Sequence, residues 1–335
     1  MKCLSKKLVE KNGLVKRGLL FSLSITLIGF AIIAGLLVSA SLTSAQTETY
    51  QFITKWGDLG TADGDFDHPY DIILDSSESI LFISDTYNHR IQKFTTDGKF
   101  ISSWGTYGNG NGQLNFSMGL AIDSIGNIYV ADTCNNRVQI FTSDGEFLNV
   151  FGTKGSDEGQ FIWPYDVEVD AEGNIYVADA GNSRIQKFTN SGVFICAWGS
   201  HGSDEGQLMF PHGIDLDAQG NVYVGDYYNH RIVKFSGNGD FIAQWGSGGT
   251  GNGQLSTTKG VFVDNQGNVY VADYWNCRIQ KFSADGSFIG VWGTKGTGDG
   301  QFNTPKGVVV DQNGYIYIAD TSNSRIQKFL VNPLP

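Results

Sequence analysis

A few side chains carry what chemistry this sequence could do. Asp71, Asp166, Glu168 and Asp215 supply carboxylates, His212 an imidazole, Lys259 and Lys306 amines, and Tyr70 and Tyr165 phenols. Carboxylate oxygens suit a divalent cation, and Asp166 or Glu168 could act as a general base. The imidazole and the amines beside them could hold a small polar ligand. The nine residues are scattered along the chain, so they form a site only if the fold gathers them.

The gathering element is a repeat. An Asp closes a "YVAD"-like run at Asp85, Asp132, Asp179, Asp226, Asp273 and Asp320, and every interval is 47 residues. Three residues later stand Asn88, Asn135, Asn182, Asn229, Asn276 and Asn323. Two further on come Arg90, Arg137, Arg184, Arg231, Arg278 and Arg325. A fixed period of this length marks stacked supersecondary units. Within one unit, 165–170, 174–178, 184–188 and 193–198 read as strands, rich in Val, Ile, Tyr and Phe and separated by Gly, Asn and Asp turns. Four antiparallel strands in each of six units predict an all-β, six-bladed β-propeller. "FITKWG" at 52–57 matches a fourth strand without its first three, and the last unit lacks a fourth. The N-terminal strand is therefore expected to complete the C-terminal blade and remove the open sheet edges.

The wording "PxG…VD…GNVYVAD…N.RIQKF…DG.F…WG" resembles the NHL-repeat family of propellers from Phe52 to Leu330. Kelch Gly-Gly pairs and a WD40 Trp-Asp close are absent. The resemblance implies an interaction platform for a protein, peptide or glycan. Some similar propellers, such as peptidyl-amidoglycolate lyase, hold a metal with histidines at the channel mouth, so a metal-dependent lyase or hydrolase is the alternative. Here only His212 occupies such an inner position. RNA-binding NHL propellers carry zinc-finger and coiled-coil segments that this sequence does not show.

A residue present in every blade serves the blade. Each Asp ends a second strand and each Arg opens a third, so the Asp is expected to bond the Arg or the turn amides across the turn, worth ~0.2–1 kcal/mol for an exposed pair and more for a partly buried one. The Asn is expected to take the left-handed conformation of that turn. The Trp of the fourth strand is expected to pack between blades. Unique function must lie where blades differ. The turns joining strands two and three and the loops joining one blade to the next emerge on one face. This loop face holds His68, His89, His201, His212 and His230, with Tyr87, Tyr227, Tyr228, Tyr274 and Trp275 on its rim. Nearest the axis, the residue opening each first strand is Tyr70, Met118, Tyr165, His212, Lys259 or Lys306. The next is Gly except at Asp71 and Asp166. Two further on, Glu168 and Asp215 replace Ile73, Ala121, Phe262 and Val309. Buried carboxylates need water, a cation or a partner charge. The candidate ligand-binding set is therefore the nine residues above with Tyr228 and Trp275. No organic cofactor is indicated, and a divalent cation in the channel is the one ion the set could take.

Residues 1–45 differ from the rest. A basic start, Lys2 to Arg17, precedes an uncharged apolar stretch at about 19–40, long enough to cross a bilayer. It predicts an export signal or an uncut membrane anchor, which puts residues 46–335 outside the cytoplasm. The chain carries a net charge of −11. Beyond residue 45, 17 Lys+Arg face 33 Asp+Glu, a balance of −16. Such a surface lacks the basic footprint that nucleic acid requires. The four cysteines show neither metal spacing nor a disulfide framework. Ring closure gives no reason to expect more than a monomer.

Overall fold

A computed structural model describes residues 48–332. The N-terminal apolar segment lies outside the described residues. Six four-stranded antiparallel sheets follow one another. In the sixth, Thr49–Trp56 pairs with Arg325–Asn332, which continues inward to Tyr315–Asp320 and Val308–Val310. The first described strand thus closes the last blade, so that all six blades have four strands.

The core is a ring of six apolar clusters, each lying between two neighbouring blades. One of them joins Ala131 and Val138 of blade two to Val167 and Val177 of blade three. Another joins blade six to blade one through Tyr317 and Ile83. The fourth-strand Trp extends this contact. Trp56 lies flat on the 3–4 turn of the next blade, where a Cβ on Gly98, at φ +83°, would stand 2.6 Å from the indole. That glycine is needed both for its backbone and for the ring above it.

The repeated polar residues prove more deeply embedded than a turn pair. Asp179 is fully buried. One of its oxygens accepts from Arg184 Nε at 2.8 Å, Asn182 Nδ2 at 2.8 Å and Gln186 Nε2 at 3.0 Å. The other accepts from the Ile162 amide at 2.8 Å. Arg184 also donates to the carbonyls of Asp157 and Gln160, tying the incoming loop to the sheet. The Asp–Arg contact recurs at 2.7–2.8 Å in all six blades. Of the two cases, exposed and buried, the pair takes the buried one, because the carboxylate sits where only its four donors can hold its charge.

The Asn expectation is corrected. In blades one, two, three and six the 2–3 turn is a single 3₁₀ turn ending on the Asn, and in all six blades the following residue takes the left-handed conformation, as His89, Asn136, Ser183 and His230 do at φ 55°. The Asn instead spends its amide on the buried Asp and on a loop carbonyl, as Asn182 does on Gly155.

Candidate functional site

The loops between blades share one backbone path. A short parallel bridge pins each, as Thr153–Lys154 against Gln160–Phe161 or His201 against Leu208. The loop face therefore varies in side chains, not in backbone. A β-bulge opens most first strands, with register shifts between Pro69 and Ile72 and between Pro164 and Asp166. Bulges re-aim side chains, and these send consecutive residues into two separate layers of the channel.

The layer at the loop-side mouth is aromatic and basic. His212 is 1% exposed and Lys259 8%. Nδ1 of His212 lies 3.0 Å from the Tyr70 hydroxyl and 3.2 Å from Lys259 Nζ. A Lys259 ammonium can only donate, so beside it Nδ1 is the acceptor, the ring proton sits on Nε2 and the Tyr70 hydroxyl donates. Burial and then the charges of Lys259 and Lys306 hold the imidazole well below its ordinary pKa, which keeps it neutral. The His212 ring is sandwiched, 4.0 Å from Tyr165 and stacked 4.4 Å from Tyr227. Lys259 Nζ faces the rings of Tyr227 at 4.4 Å, Tyr274 at 5.3 Å, Tyr165 at 5.4 Å and Tyr70 at 5.9 Å. Lys306 Nζ lies 4.5 Å from the centre of Tyr70. Burial lowers both amines, Lys306 to about 7.

The carboxylates line a different space. Asp71, Asp166, Glu168 and Asp215 surround a cavity of about 270 Å³ with Ile73, Ala121, Phe262 and Val309. Its wall continues to Asp75, Ser76, Glu78 and Asn265, which belong to the 1–2 turns, so it opens on the face opposite the loops. The sequence groups acids and bases at one mouth; the structure places them on two levels. Three acids share a role. Asp71 accepts from its own neighbour Ile72 and from Leu120 of the next blade, both at 2.9 Å. Asp166 does so with Val167 and Ile214, and Asp215 with Leu216 and Val263. Each is a strap between adjacent first strands. Glu168 accepts from Val169 at 2.9 Å. Burial raises all four, Asp71 to about 6 and Asp215 to about 7. Asp166 and Glu168 rise further because the other acids repel their charge as well. Among the described residues, no three His, Cys, Asp or Glu side chains converge closely enough to hold a metal ion.

Tyr228 and Trp275 stand apart from both layers, exposed on the loop-side rim. The other exposed aromatics among the described residues, Tyr87, Tyr107 and Trp163, lie on the same face. Half-buried Phe116 and Phe210 link them: Tyr87 to Phe116 at 5.1 Å, Trp163 to Phe210 at 6.2 Å, and Phe210 to Tyr228 at 5.8 Å. The sequence reading did not single out Phe116, Trp163 or Phe210. They fill one repeat position, two before the residue that opens the first strand, where blades one to six read His68, Phe116, Trp163, Phe210, Thr257 and Thr304. That column was the signal. Two of the rim histidines prove to be capping residues. His89 accepts from the Phe116 amide and His230 from the Thr257 amide, as Asn136 does from Trp163.

Fold and site together define an all-β propeller whose six blades share a polar scaffold and differ at the mouth. The NHL repeat model matches residues 119–141, 161–188, 208–235, 259–282 and 302–329. The chain is an NHL-repeat propeller. Its first blade carries one extra residue between strands one and two and lies outside those segments, with the same sheet. A stretch of 66 residues is 39% identical to RING finger protein nhl-1 of Caenorhabditis elegans; it covers 20% of this chain and 7% of that protein. Among solved structures, a virginiamycin B lyase from Staphylococcus aureus, in a catalytically inactive form with quinupristin, is 16% identical with a TM-score of 0.58. The match covers 85% of this chain and all of the lyase. A gluconolactonase from Xanthomonas campestris is 14% identical with a TM-score of 0.62, covering 86% of this chain and 92% of the other. At such identity the likeness is one of fold.

Proposed function

We propose that this chain is an extracytoplasmic binding module that takes a peptide or glycan on its loop face, exported or anchored by its N-terminal segment. One observation carries the reading: every exposed aromatic among the described residues lies on that face, with Trp275 at 59% exposure. Rigid aromatic side chains on a closed scaffold give contact area at little entropic cost, and such residues dominate recognition surfaces. NHL propellers generally mediate interactions, which accords with this. The test is binding of the full-length protein to glycan and peptide arrays, repeated with Trp163→Ala and Trp275→Ala. Binding that falls at least tenfold in these variants, at unchanged melting temperature, supports the reading. Arrays without a hit, or hits indifferent to both substitutions, refute it.

A second reading, a lyase or hydrolase, draws on the acidic cavity. Burial and the neighbouring acids push the carboxyls of Asp166 and Glu168 well above the ordinary range, the direction a general acid requires. Turnover of a sugar lactone that Asp166→Asn abolishes would support it. No turnover above that variant would end it.

A further inference from the structure

We propose that the loop-side mouth of the channel is a subsite for a single carboxylate on a small ligand, held by the amines of Lys259 and Lys306. The inference rests on the loop face being the binding face and adds the chemistry of what enters its centre.

Three observations carry it. First, neither amine has an acidic partner: the ion pairs among the described residues engage Lys55, Lys93, Lys187, Lys234, Lys281 and Lys328, but not these two. Lys259 is more than nine-tenths buried, and among the described residues its Nζ has no hydrogen-bond partner but neutral His212. A buried ammonium without a counter-charge is costly, and a second beside it adds repulsion. An arriving anion relieves both. Second, the acids that could have neutralised them are committed elsewhere: Asp71, Asp166 and Asp215 are each held by two backbone amides on the level below. Third, the surroundings fit a flat, singly charged group. Tyr165 and Lys306 stay partly exposed, and neither lines the acidic cavity. Tyr165 lies beside Phe210 at 5.4 Å, which leads out to the rim. A dianion would meet more repulsion from Asp71 beneath, the least raised of the four acids, and from the acidic body as a whole. One carboxylate with an attached ring, sugar or aromatic, matches two amines below an aromatic rim.

The test uses the full-length protein in detergent, titrated calorimetrically with D-glucuronate against D-glucose and with benzoate against benzamide. At least one acid should bind tenfold or more tightly than its neutral counterpart, and the two pairs tell a sugar acid from an aromatic one. Lys259→Met and Lys306→Met should each weaken that acid tenfold or more. Circular dichroism checks their fold, and Lys306→Met serves alone if Lys259→Met fails to fold. The proposal is overturned if neither acid outbinds its neutral partner. It is also overturned if binding survives both substitutions, or if inorganic phosphate binds tighter than either acid. If array ligands still depend on Trp275 while Lys259→Met leaves them unaffected, the face binds and only the carboxylate subsite falls. Carboxylate binding that needs Lys259 without any array hit gives the converse.

Discussion

The Tyr70 hydroxyl of blade one meets Nδ1 of His212 of blade four at 3.0 Å, across the channel and 142 residues apart in sequence. This contact is a cross-brace of the ring as well as part of the mouth. Removing the hydroxyl leaves His212 Nδ1 with Lys259 alone and costs one buried hydrogen bond. Tyr70→Phe should therefore lower unfolding free energy by about 1 kcal/mol in a denaturant titration. A cycle with His212→Leu should show a coupling of roughly 0.5–1.5 kcal/mol. Additive single effects would show that the contact carries no energy.

The buried Asp179–Arg184 pair should behave unlike a surface ion pair. Arg184→Ala strips the carboxylate of its charged donor but leaves Asn182, Gln186 and the Ile162 amide. A loss of about 3 kcal/mol is expected, the low end for a broken buried pair. Arg184→Lys should recover only part, since a single ammonium cannot donate to the Asp and two loop carbonyls in the same planar geometry. A shift below about 0.5 kcal/mol on thermal or chemical unfolding would return the pair to the surface class.

These two predictions show which parts were legible in the sequence. The period of 47, the four strands, the closing strand and the scaffold role of Asp and Arg follow from spacing alone. The depth of Asp179 does not, because burial depends on how the inter-blade loop folds back over the turn. The separation of Lys259 and His212 from Asp166 and Asp215 was hidden for another reason. Strict alternation sends successive residues to opposite faces, and the bulge at the start of the first strand changes which way each of them points. Phe116, Trp163 and Phe210 were missed because they sit at positive φ, at 51° to 62°, where a turn residue is ordinarily expected and an aromatic is not.

Glu168 supplies a pH test. Burial and the nearby acids raise its native pKa well above the ordinary 4.5. The folded state therefore binds the proton more tightly than the unfolded chain. The stability this gives is complete below the unfolded pKa and is lost as pH rises through the folded one. Glu168→Gln removes the ionisation, so the gap in melting temperature between variant and parent should widen in the variant's favour as pH climbs from 4.5 to 8. The variant also relieves the repulsion between Glu168 and Asp71, Asp166 and Asp215, which moves the gap in the same direction. A gap that stays constant or narrows would mean Glu168 is solvated and ordinary.

The closing strand makes the last prediction. Thr49–Trp56 covers the edge strand Arg325–Asn332, stacks Tyr50 on Trp292 at 3.9 Å and lays Trp56 against the turn of blade one. Just before it, Glu48 pairs with Lys281 of blade five at 2.7 Å. Contacts at this one strand thus involve blades five, six and one. Removing residues 1–57 would leave a ring of five full blades and a three-stranded sixth with a bare edge, which invites pairing with another chain. The shortened protein should lose its single sharp unfolding transition and aggregate in light scattering, whereas removing residues 1–45 alone should leave the transition in place. A synthetic peptide of residues 46–57 should restore the transition when added in excess, because it pairs with the same edge. A shortened chain that melts as sharply as its parent would show that inter-blade packing alone holds the ring, with the first strand only an ornament on it.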